Sequence, residues 1–263
     1  MMFPLLLIVL IWSEHPAMIQ ALSSHGKVSS VQKRRLPIGR VTALDRIKID
    51  RQPDDNFYAK PNLNVHADKI FREKLTSLYN DLIPEGSIVL DMMSSHVSHL
   101  PPHKRLGRVD VHGMNAEELR ANPARNETGG NYFVRNLNDN PSFVGICDTG
   151  EYDIVLCCVG VQYLEEAEAV FAEVGRILKP GSGLAIVSFT NRFFYQKALT
   201  GWIERGMKER SRLVSDYFRA AGGFDSNIDI VGDGTSPISQ LLSIGGVGGD
   251  PYVAVVAKRN LDP

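Results

Sequence analysis

Residues 152–189 read YDIVLCCVGVQYLEEAEAVFAEVGRILKPGSGLAIVSF. Within them, 154–161 and 184–187 are nearly unbroken apolar and β-branched runs, the pattern of strands covered on both faces. Between these runs Glu165, Glu166 and Glu168 crowd one end of a helical pattern and Arg176 and Lys179 the other, as the helix dipole favours. Val170, Phe171, Val174, Ile177 and Leu178 recur at three-to-four spacing, so one apolar stripe lies against a sheet. Pro180-Gly181 ends the helix. Strand, amphipathic helix and strand make a right-handed parallel crossover. That unit predicts an α/β, doubly wound, mostly parallel sheet.

The rest of the chain is consistent with one such domain. It has 263 residues, 43% of them hydrophobic, enough for a sizeable core, and a formal net charge of −1. Charge is uneven. Seven basic and three acidic residues stand before Arg51, which leaves 22 basic against 27 acidic beyond Asp50. A mildly acidic domain offers no electrostatic footprint for nucleic acid or an anionic membrane.

Residues 2–12 (MFPLLLIVLIW) are apolar throughout but shorter than the roughly 20 residues of a bilayer-crossing helix. They read as the core of a signal peptide, with Ala21 at a cleavage distance, so 1–21 is assigned as signal-like. Residues 22–50 turn basic and Ser-containing, with no acid until Asp45, in the manner of organelle transit peptides. Signal followed by transit-like segment predicts import into a plastid through the secretory pathway; secretion or a membrane anchor at 2–12 is the alternative. The folded domain is expected over 51–263. Cys147, Cys157 and Cys158 form no disulfide framework, since the last two adjoin on a strand and face opposite ways, and they read as small core residues. His96, His99, His103 and His112 raise a metal site, since His96 and His99 are three apart, but Leu100-Pro101-Pro102 after His99 breaks any shared helix, so no metal is expected.

Helical spacing predicts a helix over 68–82, stopped at Pro84-Glu85-Gly86, then a short strand, 87–92, ending in Asp91. Further strands are predicted over 108–112, 132–135, 224–231 and 252–258, and helices over 116–120, 191–203 and 208–221, the last stopped by Gly222-Gly223. Residues 122–130 read as a polar loop containing the sequon Asn126-Glu127-Thr128, and 232–251 as a long connector. Gly245–Gly249 in it resembles a phosphate loop in composition only, because no helix follows.

Asp153 before a buried strand, the helix ending Arg176-Ile177-Leu178-Lys179-Pro180-Gly181 and the strand after it resemble the fourth and fifth strands of class I S-adenosylmethionine-dependent methyltransferases, of the type-11-like branch. Phe57-Tyr58, Pro61, His66, Asp68, Ser94-Ser95 and Val97-Ser98-His99-Leu100-Pro101 are similar to a subgroup of that superfamily from cyanobacteria and photosynthetic eukaryotes. The resemblance implies a seven-stranded sheet with an antiparallel last strand, S-adenosylmethionine as cofactor and a small-molecule substrate.

It also implies site residues. Asp91 would accept a hydrogen bond from the amino-acid end of the cofactor. The three glycine positions of the following loop hold Met93, Ser95 and Val97, and Ser94 and Ser95 would supply donors at a helix start. Asn115 falls near the acid that holds the ribose hydroxyls, with Glu117 in reserve. Asn136 and the Leu137 N–H stand where the family holds adenine, and Cys158, Gln162 and Tyr163 lie at the carboxyl end of the fourth strand. Tyr58, His66 and Tyr163 are the candidates for contact with substrate. Three replaced glycines and two acid-to-amide changes favour an alternative, a non-catalytic methyltransferase-fold binding module. No Gly-x-Gly-x-x-Gly follows a strand and no Gly-x-Ser-x-Gly turn occurs, which argues against a nicotinamide dehydrogenase and a hydrolase.

Overall fold

The computed structural model describes residues 41–232 and 249–261. The expected signal-like segment, most of the basic segment, and the glycine run at 245–248 lie outside the described residues. One sheet organises the remainder. Its strands are β1 (Ile88–Asp91), β2 (Arg108–Gly113), β3 (Tyr132–Val134), β4 (Ile154–Cys158), β5 (Leu184–Phe189), β6 (Phe224–Gly232) and β7 (Val253–Arg259). They lie in the order β3-β2-β1-β4-β5-β7-β6. The first five are mutually parallel, and β7 runs antiparallel to both β5 and β6. The predicted doubly wound architecture and its antiparallel last strand are what the chain adopts.

Both faces of the sheet are covered. Helices α5 (Ala167–Ile177) and α7 (Met207–Ala221) lie on one side, where Val170, Phe171, Val174 and Ile177 meet Leu213, Val214, Tyr217 and Phe218 in one core. On the other side, α2 (Lys69–Leu82) sets Phe71, Leu75 and Tyr79 against Val89, Leu156, Ile186 and Ala254. Asp68 caps α2 by accepting the Phe71 N–H at 2.8 Å. Asp153 joins the layers: one carboxylate oxygen accepts the Ile88 N–H at 2.9 Å, while the other takes the Lys179 ammonium at 2.7 Å. Those contacts explain an acid before β4 and a lysine just past the end of α5.

Four local expectations need correction. Residues 123–128 form a helix, α4 (Pro123–Thr128), rather than a loop. Asn122 caps it, Pro123 opens it and Gly129 closes it at φ +67°. Its six residues are too few to show a period. In 191–203 only α6 (Thr200–Ile203) is helical. The preceding residues turn at 195–197 and then pair with 47–50, with Asp50 N–H donating to the Gln196 carbonyl at 2.9 Å and Thr200 N–H to that of Ile47 at 2.8 Å. Tertiary pairing overrides helix propensity there. Third, no helix stands between β1 and β2, so the expected helix start after Asp91 is absent.

The fourth concerns the domain boundary, which lies before Arg51. Arg46 grips buried Glu168 with both guanidinium ends, at 3.1 and 2.5 Å, and Asp45 pairs with Arg205 at 2.8 Å. Residues 41–50 therefore belong to the folded unit; Asp45 and Asp50 balance Arg46 and Lys48 there, and the stretch has no serine.

Candidate active site

A cavity of about 480 Å³ opens at the carboxyl ends of β1, β2 and β4. Doubly wound sheets bind ligands at this edge, and the volume suits a small molecule. Asp91, Met93, Ser94, Ser95, Asn115, Asn136, Leu137 and Cys158 all line it, as do Tyr58, His66 and Tyr163. Gln162 does not. It is buried on the turn after β4, with its amide donating to the Val159 carbonyl at 2.9 Å.

The loop after β1 decides the floor. Met93 takes φ +56°, the left-handed conformation that glycine adopts most readily. Space for its side chain comes from across the cavity: a Cβ on Gly160 would lie 2.8 Å from Met93 Cβ and 3.1 Å from its sulfur. Likewise a Cβ on Gly113, the last residue of β2, would lie 2.4 Å from the Ser94 carbonyl oxygen. Gly160 and Gly113 thus leave the room that the loop's side chain and carbonyl occupy. Val159, beside Gly160, is itself at φ +52°, a strained setting for a β-branched residue and of the kind that clusters at functional sites.

His112 holds this loop. Its Nδ1 accepts the Met93 N–H at 3.2 Å, so Nε2 carries the proton and donates to the Arg135 carbonyl at 3.0 Å. Burial pushes the imidazole down to about 4. The Ser94 N–H donates to the His112 carbonyl at 2.7 Å and the Ser94 hydroxyl to Asp91 at 2.5 Å. Asp91 is buried, which raises its carboxyl to about 7, against the opposing pull of the Ser94 and Ser98 hydroxyls.

Two expected contacts are already committed inside the protein. Asn115 caps helix α3 (Ala116–Ala121), its oxygen accepting the Glu117 and Glu118 N–H groups. Its amide donates to the carbonyls of Tyr58 at 2.9 Å and Ala59 at 3.2 Å, so every hydrogen-bonding site on that side chain is filled. Asn136 closes a local turn, accepting from the Asn138 N–H at 3.0 Å and donating to Asp139 at 2.9 Å. Glu117, the reserve acid, faces solvent.

The acid at this corner is Glu118. It is buried, lines the cavity, and accepts the Asn62 N–H at 2.7 Å and the Ser95 hydroxyl at 2.6 Å, one on each oxygen. Its signal in the sequence is the spacing Asn115-x-x-Glu118, the form of a helix capping box. Asn138 also went unmarked: it donates to Asp54 and to the Tyr163 carbonyl, both at 3.0 Å.

An aromatic wall faces these acids. Phe194 meets Phe57 at 5.2 Å and His66 at 5.3 Å edge-on, and stacks on Tyr163 at 6.2 Å. The Tyr163 hydroxyl accepts the Phe194 N–H at 2.9 Å, which fixes it as a wall residue. Burial holds the Tyr58 phenol well above its ordinary range, so it stays a donor at neutral pH. Burial lowers His66, with Glu118 opposing, and leaves an imidazole able to accept a proton. The Cys158 thiol is pushed up to about 12 by burial and is no nucleophile at neutral pH.

Among solved structures, a chain from the complex between the Haloferax volcanii Trm112 methyltransferase activator and a methyltransferase superposes with a TM-score of 0.53. It is 17% identical, with 73% of this chain and 91% of that chain covered. The fold is the Rossmann-like methyltransferase fold. A possible exported protein from Bordetella parapertussis superposes with a TM-score of 0.51 at 11% identity, covering 77% of this chain and 71% of its own. Identities this low speak to fold alone. No family model matches the sequence, and no curated protein does either.

Proposed function

We propose that the chain is an S-adenosylmethionine-dependent methyltransferase acting on a small molecule. The observation that carries this is the cavity at the carboxyl ends of β1, β2 and β4, walled by Asp91 and Glu118 within a sheet of methyltransferase topology. The residues fit the cofactor through a redistributed set of contacts. Met93 keeps a left-handed loop backbone without glycine. Glu118, with lone pairs to spare on both oxygens, takes the role of ribose acceptor that Asn115 cannot fill. The Leu137 N–H has no protein partner among the described residues and lines the cavity where adenine is expected. Asp91 receives the amino group, whose positive charge favours its ionised form.

The cofactor, when bound, supplies an electrophilic methyl group on a sulfonium. The chain's own part is orientation and exclusion of water, the main demands of such a transfer. Phe57, Tyr58, Tyr163 and Phe194 make the dry wall, and His66 receives a proton where the acceptor carries one. Saturation of Asn115, with Asn136 engaged in its own turn, favours a second reading, a binding module of the same fold that holds another ligand.

Calorimetric titration of S-adenosylhomocysteine into the full chain separates the two. Micromolar binding, weakened at least about tenfold by Asp91→Ala and by Glu118→Ala, is expected for the methyltransferase, since each removes a charge-assisted contact. A folded protein that does not bind would overturn it in favour of the module. Plastid delivery through the secretory route remains our proposal for residues 1–40, supported by their composition; a fluorescent fusion of that segment that stays cytosolic would sink it.

A further inference from the structure

We infer that Lys197, which does not line the cavity, is the positioning residue for its aromatic wall. Phe57, Tyr58 and His66 of that wall are carried by residues 50–66, a segment with little regular structure beyond the single turn of α1 (Asp54–Phe57). Such a segment stays put only where other parts of the chain hold it. At its far end Asn115 takes the Tyr58 and Ala59 carbonyls and Glu118 the Asn62 N–H. At its near end the hold is a buried ammonium. Lys197 is 1% exposed and comes from the turn after β5. Its Nζ lies 2.7 Å from the Gln52 carbonyl, 3.0 Å from Asp50 and 3.4 Å from Asp54, and 5.6 Å from the centre of the Phe57 ring.

A lysine is rarely buried without compensation, because desolvating its charge is costly. Here the compensation comes entirely from one short run, 50–54, plus the face of Phe57. Asp54 is shared with a second buried lysine, Lys48 at 2.5 Å, and with the Asn138 amide at 3.0 Å. Asp54 and Phe57 line the cavity, and Tyr58 follows directly. The ammonium therefore sets where the wall stands without reaching the ligand. Loss of the charge frees the wall and leaves the sheet intact, since 44–50 stays paired to 196–200 through the backbone.

The test uses the full chain carrying Lys197→Met or Lys197→Arg, under brief trypsin digestion with the first cuts mapped. In Lys197→Met, cleavage after Arg51 is expected to accelerate at least about tenfold, because proteolysis tracks the open population of a segment. Cleavage after Lys74 in α2 and Arg212 in α7 should not change, and Lys197→Arg should stay within about threefold of wild type at all three sites. An unchanged rate at Arg51 would overturn the inference; so would equal acceleration at all three sites, which marks a merely structural residue. Should Lys197→Met fail to fold, Asp50→Asn, which removes one partner at the surface, reads the same selective opening.

A second arm rests on the proposed function: S-adenosylhomocysteine affinity should fall about tenfold in Lys197→Met, by the cost of ordering the wall on binding. If wild type does not bind, the methyltransferase reading fails, while the digestion still decides the role of Lys197.

Discussion

Met93 sits in a conformation that costs an ordinary side chain about 1–2 kcal/mol and that glycine adopts freely. What offsets the strain is packing: the side chain fills space that Gly160 leaves open. The two positions are therefore expected to be coupled. Gly160→Ala should cost about 1–3 kcal/mol in wild type by overpacking, and at least about 1 kcal/mol less in a Met93→Gly background. Urea denaturation of the four proteins measures this. Equal costs in both backgrounds would remove Met93 from the account, leaving Cys157 Sγ, 3.0 Å from the added Cβ, as the cause.

At the scale of elements, the stretch 41–50 matters most, because it falls within the transit-like segment expected at 22–50 and the fold uses it as a strap. Its Arg46–Glu168 pair is bidentate, with the Glu168 side chain only 4% exposed and the Arg46 side chain 20%. Truncating Arg46 leaves a buried carboxylate unpaired, which costs about 3–5 kcal/mol in a fully buried site and less here because the arginine retains some solvent. Arg46→Ala is therefore expected to destabilise by about 2–3 kcal/mol, and Arg46→Ala with Glu168→Ala by less than the single change. Thermal unfolding of the two variants checks this: a double variant less stable than Arg46→Ala would show that the carboxylate is not what suffers.

For the whole molecule, buried titratable groups around the cavity oppose each other. His99 and His112 are both lowered to about 4 by burial, so their stabilising contribution is present above about pH 6.5 and lost as pH falls toward 4. Asp91 is raised to about 7, so its contribution is full below its unfolded value near 3.8 and lost as pH rises through 7. Between about pH 4.5 and 6.5 the two histidines outweigh the one carboxyl, so these groups make stability rise with pH with a slope of about one proton. Asp91→Asn removes the opposing member and should steepen that rise to about two protons. Unfolding free energies across this range, for both proteins, give the slopes; an unchanged slope would mean that Asp91 is ionised throughout.

Sequence by itself determined the sheet, its crossover and its two covered faces. Those follow from local period and from apolar area that must leave water, and both can be counted along 152–189 without knowing what lies opposite. It also named residues that, Gln162 and Glu117 apart, come together in one cavity, because strand ends in such a sheet converge by topology. The tertiary structure alone decided what those side chains do there. Asn115, Asn136 and Ser95 carry groups that can serve a ligand or their own chain with equal chemistry, and the choice depends on partners that arrive from elsewhere. Asn115 is taken by carbonyls 56 and 57 residues away and Glu118 by an N–H 56 residues away. Lys197 is held by a carbonyl 145 residues away. A hydrogen bond is directional and short in range, so it is set by the last few tenths of an ångström of packing, which hydrophobic period does not encode.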